Sequence, residues 1–535
     1  MAELLVRRGF SDAESAGRFL APRLRGLGDP FALHGMEIAV ERLLAAVERQ
    51  ERVVLYGDYD VDGVTSLALL TRLLRAYGAA VSAFLPHRVD EGYGLSADGV
   101  TRCVQTHRPQ LLVAVDCGTT SVVEITRLRE QGVDVLVLDH HEPKAELPPA
   151  LAIVNPKLGA DLHYLCSAGI VFKVAHGMLK RRPLPGFDLK EMLDLVALAT
   201  VADIVPLVEE NRVFVRVGLA RLENTSCPGL RALIEVAGIK PPFEAGHVGF
   251  GLGPRLNAAG RLASAGASLE LLMTEDTVRA RELARMLDQQ NRERRTLEND
   301  VMLAAEAQVL NACDPESAAA IVVGATGWHP GVLGIVAARI QRRFYRPTIV
   351  VGFDTMGAGK GSGRSIEGFS LVDALGRCAA HLEKFGGHEM AAGLTMRIEA
   401  LEEFRAAFEQ VAREMLLAEQ LQERLLLDAE VRLDEISMEF IAALGALHPH
   451  GSGNRKPVFF ARKVTHIGEP RLMKGKHYSF LLRQARGQCR AVWWNSADIP
   501  LPPLPWDVAF TVERNDWNGS SAPQLDIRDL HTSGN

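Results

Sequence analysis

Three acids at alternate positions, Asp58, Asp60 and Asp62, follow directly on the apolar run Val53-Val54-Leu55-Tyr56 and precede Gly63. Carboxylates this close repel one another unless a cation neutralises them, and their hard oxygens suit magnesium, manganese or calcium. The spacing matches the opening of an EF-hand loop, but the twelfth position is Leu69 rather than Glu, and the preceding element reads as a strand. A calcium loop is therefore set aside. Two further apolar runs end in acids: Val113-Ala114-Val115-Asp116-Cys117-Gly118 and Leu136-Val137-Leu138-Asp139-His140-His141-Glu142. A strand-end Asp such as Asp116 is, taken alone, more often a cap or turn former than a ligand. An Asp with two His is rarer, and an imidazole among carboxylates shifts the expected ion from magnesium toward manganese, with magnesium still open. A fourth segment, Ala197 to Leu207, is an apolar helix-like run carrying Asp203. An acid buried there needs a partner, for which a metal is the natural choice.

These residues need a frame. From about residue 52 to 205, short β-branched runs alternate with helical-period segments, the pattern of βαβ units and a parallel sheet. Strands are predicted at 53–56, 81–85, 111–115 and 133–138, with a helix over 64–77. In such a sheet ligands bind outside the carboxyl ends of the strands, where the first three clusters fall. The segment 276–311, dense in Arg, Glu, Gln and Leu, reads as one or two long solvent-exposed helices. Apolar runs at 318–324 and 347–352, separated by a helical 334–344, begin a second α/β domain that ends near 425. The last stretch has shorter runs, four tryptophans and turn signals around 516–519, which fit a small β-barrel. The expected division is an N-terminal helical segment (1–50), a first α/β domain (51–265), connecting helices (266–315), a second α/β domain (316–425) and the barrel (426–535).

The length of 535 residues calls for about three domains, and 47% hydrophobic with 24% charged residues excludes wholesale disorder. No apolar run is long enough for a membrane span, and the N-terminus shows no secretory pattern, so a cytoplasmic protein is expected. Seven cysteines without a CxxC pair argue for reduced core thiols and against a disulfide framework or zinc ribbon. A net charge of −6 does not point to a general polyanion binder, so any nucleic-acid contact must use a local basic groove or metal ions, and whole-chain charge is weak evidence. The default oligomeric state is a monomer.

Glycine-flanked polar segments suit phosphate oxygens: Gly361-Ser362-Gly363-Arg364-Ser365 and Gly386-Gly387-His388 bring backbone amides beside cationic or polar side chains. Plain glycine turns explain them equally well. Near the C-terminus, Lys474, Lys476, His477, Tyr478 and Phe480 interleave charge with aromatic groups, as backbone attraction plus base stacking requires, although ordinary sheet packing gives the same alternation. If Trp493 and Trp494 lie in a strand they point to opposite faces.

Taken in order, Asp-Tyr-Asp-Val-Asp-Gly, Val-Asp-Cys-Gly, Asp-His-His and Val-Ala-Asp-Ile-Val-Pro resemble the four motifs of the DHH phosphoesterase family. Phe385-Gly386-Gly387-His388-Glu389-Met390-Ala391-Ala392-Gly393 resembles the glycine-rich signature of its associated DHHA1 domain, and Gly451-Ser452-Gly453-Asn454 precedes a region that is an OB-fold in the exonuclease members. The resemblance implies two α/β domains, DHH and DHHA1, joined by a long helix, plus a C-terminal OB-like barrel. It implies a single-stranded-DNA-specific 5′→3′ exonuclease that releases mononucleotides in recombination and repair by a two-metal mechanism. Two Mn2+ or Mg2+ ions would be held by Asp58, Asp60, Asp62, Asp116, His140 and Asp203, with His141 on the phosphate or a metal. Asp116, His140, His141 and His388 would be catalytic, His388 at the scissile phosphate. Arg88, Arg255, Ser362 and Arg364 would form a pocket for a 5′-terminal phosphate, with Asn257, Gly386, Gly387 and His388 also facing substrate. A single-strand-binding protein and a RecQ-type helicase are the partners the resemblance implies. The alternatives are a small-substrate member (oligoribonuclease, nucleoside bisphosphate phosphatase or cyclic-dinucleotide phosphodiesterase) and a non-catalytic scaffold, against which the intact ligand set argues.

Overall fold

A computed structural model describes residues 1–534 apart from 87–90, 92, 93, 160, 161, 263, 264, 313, 315, 316, 518 and 519, with only the backbone described at 262, 312, 517 and 520. The chain forms two compact units. The first comprises Met1–Gly253, Leu269–Arg281 and Leu426–Asn535, the second Pro254–Ser268 and Glu282–Leu425.

The first unit is built on a parallel sheet of five strands, β1 (Val53–Gly57), β2 (Val81–Phe84), β3 (Leu111–Val115), β4 (Asp134–Leu138) and β5 (Ala152–Val154), in the order β2-β1-β3-β4-β5. Every residue of β1 and β3 is buried, as expected of strands covered on both faces, which is why their sequences are continuous apolar runs rather than alternations. The strand order reverses between β1 and β3. Chains leaving these two strands diverge to opposite sides and open a crevice at their carboxyl ends. Asp58 leaves β1 there, and Asp116 leaves β3. β5 was not expected from sequence: three residues carry no readable period.

The second unit carries a mixed sheet of β6 (Ile321–Thr326), β7 (Thr348–Phe353), β8 (Ala358–Arg364), β9 (Lys384–Gly387) and β10 (Ala391–Arg397), ordered β6-β7-β8-β10-β9, with only β6 and β7 parallel. Successive residues of β6 feed different cores: Ile321 and Val323 pack with Val332, Val336 and Val309, and Val322 packs with Phe404 and Phe408. Between the two sheets in the chain lies one helix, Thr277–Ala312, of 36 residues. It was expected to be solvent-exposed, yet Leu283, Leu287, Val301, Met302, Ala305 and Val309 are buried. Spacings of four between 283 and 287, and between 301, 305 and 309, place each set on one face, a stripe hidden in sequence by the charges between them.

The C-terminal residues of the first unit form a sheet of seven strands: β11 (Ala429–Glu430), β12 (Phe459–His466), β13 (Arg471–Met473), β14 (His477–Gln484), β15 (Gly487–Trp493), β16 (Trp506–Trp517) and β17 (Ser520–Thr532), ordered β11-β12-β16-β17-β15-β14-β13. An additional β12–β14 pairing, Thr465 to Arg483 and His466 to Leu482, closes β12-β16-β17-β15-β14 into an OB-like barrel. Trp506 and Phe510 fill it, and the Trp506 indole N–H donates to the Pro502 carbonyl at 2.8 Å. Trp493 is buried, whereas Trp494 just beyond β15 is 49% exposed. The six described cysteines are free and buried. No helix among the described residues is long and apolar enough to cross a membrane.

Candidate active site

The crevice at the β1/β3 switch point collects the acids. Asp58 leaves β1 buried. Asp60 turns the chain into the helix Val61–Ala76 as its N-cap, accepting the Gly63 amide at 3.1 Å. Gly63 is required by that turn, because a Cβ there would run into the Asp58 backbone carbonyl. Asp62 points at the start of another helix, Ser167–Arg181: its two oxygens accept the amides of Ser167 at 2.7 Å and Ala168 at 2.8 Å. A helix N-terminus is a natural partner for a carboxylate.

Asp116 follows β3 with a left-handed backbone, φ +61°, and receives the Ser167 hydroxyl at 2.9 Å. Non-glycine residues in that region are uncommon, and Asp is among those that tolerate it. After β4, Asp139 turns inward and accepts four hydrogen bonds: from the amides of His140 (2.8 Å), His141 (3.2 Å) and Thr119 (3.0 Å), and from the His141 ring Nδ1 (2.7 Å). Asp203 ends the helix Leu193–Ala202, so an acid that reads as mid-helix in sequence is in fact its C-cap.

His140 shows what the cluster lacks. Its Nε2 is buried without a hydrogen-bond partner, yet carboxylate oxygens of Asp116 and Asp203 stand at 3.5 Å and one of Asp62 at 3.8 Å. These distances are too long for hydrogen bonds and right for donors arranged around a common ion. Burial pushes the imidazole down to about 3, so it is neutral and offers a lone pair. Among the described residues, three overlapping sets could hold a metal ion: Asp58, Asp60 and Asp116; Asp62, His140 and Asp203; and Asp116, His140 and His141. Electrostatics points the same way. Burial, then the charge of Asp60, raises Asp62 to about 6. Asp116 is raised well above the carboxylate range by burial and by Asp62, Asp60, Asp58 and Asp203, and Asp203 by burial, Asp62 and Asp60. A divalent cation is the group that relieves such a cluster.

Arg88 aside, the remaining expected residues lie in the second unit. Ser362 on β8 and Gly386 on β9 both register with Gly393 of β10, and Arg364 registers with Ala391, so these positions line up across adjoining strands. The Arg364 guanidinium donates to the Ser362 hydroxyl at 3.2 Å, and both reach Gly334 of the helix Pro330–Phe344, where a Cβ would stand 3.0 Å from Arg364 Nη2. Gly387, at φ +146°, leaves no room for a side chain beside the Ala391 carbonyl. His388 is exposed, its amide bonded to the same carbonyl at 2.9 Å. Arg255 and Asn257 lie on the helix Gly253–Leu262, with Arg255 paired to Asp288 at 2.9 Å. Arg88 falls outside the described residues.

Asp139 and Asn155, like Ser167 and Thr119, serve the site without being singled out from sequence. For Asp139 the available signal is the acceptor-only chemistry of a carboxylate beside two imidazoles. Asn155, whose amide donates to the Thr119 hydroxyl (3.0 Å) and the His141 carbonyl (2.8 Å), left no signal beyond a residue preceding proline.

Comparison with known proteins places the chain in a family. The chain matches the DHH family N-terminal domain over residues 52–200, the DHHA1 domain over 317–414 and the RecJ OB domain over 427–529. It is 38% identical over 547 residues to the single-stranded-DNA-specific exonuclease RecJ of Bacillus subtilis, spanning 100% of this chain and 68% of that one. To the protein of the same name from Haemophilus influenzae it is 38% identical, spanning 94% and 91% of the two chains. The chain belongs to the RecJ family. A crystal structure of RecJ in complex with Mn2+ from Thermus thermophilus superposes with a TM-score of 0.85 at 34% identity, covering 100% of this chain and 76% of that one. A second RecJ structure from that organism is in complex with Mg2+, with a TM-score of 0.78. The oxygen-rich donor set of this RecJ-family chain, with one neutral imidazole, fits both ions.

Proposed function

We propose that this chain is a metal-dependent, single-stranded-DNA-specific 5′→3′ exonuclease that releases mononucleotides during recombination and repair. The observation that carries the reading is the orphaned His140 Nε2 ringed by the carboxylates of Asp116, Asp203 and Asp62, in a chain whose relatives are named for this activity. Two ions, Mn2+ or Mg2+, are assigned to Asp58, Asp60, Asp62, Asp116, His140 and Asp203. When bound, they supply Lewis acidity that activates a water and stabilises charge on the phosphodiester. The protein's own part is to hold the donors. The amides of Ser167 and Ala168 fix Asp62, and Ser167 fixes Asp116. Asp139, an acceptor only, keeps the His141 proton on Nδ1, leaving Nε2 for the phosphate or an ion.

His388 is assigned to the scissile phosphate. Arg88, Arg255, Ser362 and Arg364 are assigned to a 5′-terminal phosphate, with Asn257, Gly386 and Gly387 beside them; guanidinium groups suit its oxygens. The barrel supplies a surface for single strands, with exposed Trp494 available for stacking. It also weighs against a small-substrate phosphodiesterase, which has no need of a polymer-binding module. A single-strand-binding protein and a RecQ-type helicase are the proposed partners, the cytoplasm the proposed compartment and a monomer the proposed state.

The test is digestion of 3′-labelled single-stranded DNA with Mn2+, beside blunt duplex and RNA, with Asp116→Ala as the blank. Shortening from the 5′ end that is lost with EDTA and in the variant is expected. Activity confined to dinucleotides or bisphosphates, or equal cleavage of duplex, would overturn the reading.

A further inference from the structure

The Gly451-Ser452-Gly453-Asn454 turn is a feature the proposed chemistry does not use. It belongs to the C-terminal part of the first unit, yet it seats directly on the chain that leaves Asp203. The Leu207 amide donates to the Ser452 carbonyl at 2.7 Å. Gly451 lies against Leu207, where an added Cβ would come within 2.7 Å of its side chain. Gly453 lies against Pro206, where a Cβ would stand 2.9 Å from the proline ring, and its φ of +68° already favours glycine.

The turn is itself firmly built. Gly451 and Asn454 exchange backbone hydrogen bonds of 3.0 and 3.1 Å. The buried Asn454 amide donates to the Leu447 and Pro449 carbonyls, and its oxygen accepts from Arg8 at 2.6 Å. Arg212, almost fully buried, donates to the carbonyls of Ala446, Leu447, His448 and Pro449.

What the turn holds is strained. Ile204, next to Asp203, has φ +60° and is 71% exposed. A β-branched residue adopts the left-handed region only where its surroundings over-determine it. Packing of its own side chain does not do so here. The constraints are the helix end upstream and, three residues beyond Asp203, the anchor of Pro206 and Leu207. Asn211 adds to that anchor by donating to the Pro206 carbonyl at 3.0 Å.

We infer that the Gly451–Asn454 turn positions Asp203 within the metal cluster, by clamping Pro206 and Leu207 and so fixing the left-handed exit at Ile204. Positioning residues, not ligands, are thus contributed to the metal site from the sequence region that leads into the OB-like barrel. The inference rests on the reading of Asp203 as a ligand.

The experiment is a Mn2+ titration of the metal-free full chain without DNA, followed by the electron paramagnetic resonance signal of free Mn2+, well below the melting temperature. Gly453→Ala and Leu207→Ala disturb the clamp. Gly468→Ala is the matched control, since Gly468 has φ +71° with nothing within 4 Å of an added Cβ. Asp203→Ala tests the underlying reading. We expect Asp203→Ala, Gly453→Ala and Leu207→Ala each to weaken Mn2+ binding about tenfold or more, and Gly468→Ala to bind as the parent does. Gly453→Ala combined with Asp203→Ala should bind no more weakly than Asp203→Ala alone, because the turn acts through that side chain. If Asp203→Ala binds as the parent does, the ligand reading fails and the inference with it. If Asp203→Ala weakens binding while folded Gly453→Ala and Leu207→Ala do not, or if the double variant is additive, the turn is a structural feature only. Should Gly453→Ala not fold, Leu207→Ala decides.

Discussion

Replacing Asp139 by Asn removes one charge from the centre of the site while keeping its shape. The carboxylate accepts on both sides: Oδ1 takes the His140 amide, the His141 amide and His141 Nδ1, and Oδ2 takes the Thr119 amide. An amide satisfies only one side. With its oxygen toward the histidines, its NH2 meets the Thr119 N–H; turned around, it faces three donors. Either way a buried donor is stranded, which destabilises the fold by about 1–3 kcal/mol. The charge-assisted bond to His141 is also lost, worth about 1.5–3 kcal/mol, or roughly 10–100-fold in rate if it acts in the transition state. That range matches the roughly 10–100-fold typical of partners behind metal-site histidines. Although burial lowers the affinity of His141 for a proton, its bond to Asp139 and the charges of Asp139, Asp58 and Asp60 together hold the group above its ordinary value. The variant should therefore show kcat/KM on 3′-labelled single-stranded DNA reduced about 10–100-fold. Any limb of its pH profile that belongs to His141 should move to lower pH. A folded Asp139→Asn enzyme with parental kcat/KM and an unmoved profile would refute this account of His141.

Other expectations follow from the same geometry. Without metal, burial and neighbouring acids raise Asp62 to about 6 and raise Asp116 and Asp203 well above the carboxylate range, whereas the unfolded chain releases these protons near pH 4. Their contribution to stability is thus complete below about pH 4 and is lost as pH rises through the folded values. In EDTA the melting temperature should fall from pH 5 to pH 7; a rise traceable to these acids would contradict it. Mn2+ affinity should increase over the same interval with release of protons, measurable calorimetrically in buffers of different ionisation enthalpy. Gly63→Ala forces a methyl into the Asp58 carbonyl and should depress Mn2+ binding and activity together by more than about tenfold. Trp494→Ala should weaken single-strand binding by about 1–3 kcal/mol if the indole stacks on a base; unchanged affinity by fluorescence anisotropy would remove it from the DNA path.

Much of the frame could be read from residue types, for reasons now visible. β1, β3 and β4 are buried along nearly their whole length, so their sequences are uninterrupted apolar runs, and the acids terminating them stand out. The clustering of Asp58, Asp60, Asp62, Asp116 and His140 then follows from strand order at the switch point, a property of the sheet rather than of any one segment. What stayed hidden depends on long-range partners. Nothing near Asp139 announces that Thr119 donates to it, and nothing near Ser167 announces that its amide faces Asp62. Likewise the β12–β14 pairing that closes the barrel joins residues whose local pattern is that of any half-buried strand. The buried stripe of the Thr277–Ala312 helix was obscured because charged residues outnumber the apolar ones that define its face.

The acids of the site differ in how many donors they already have, and that difference sorts their tasks. Asp139, Asp62 and Asp116 are all buried, so burial alone would raise each of them. Asp139, with four donors, is nevertheless held well below the carboxylate range. Asp62, with two helix amides, rises only to about 6, whereas Asp116, pressed by four neighbouring acids, is raised well above its ordinary value. Donors saturate Asp139, so it stays charged without an ion and can orient His141 whether or not metal is present. Asp116 and Asp203 are destabilised as anions until a cation arrives, and their ionisation is coupled to binding it. Protein hydrogen bonds thus build the rigid part of the centre, and the unfavourable electrostatics that remain are concentrated on the groups whose relief drives metal capture.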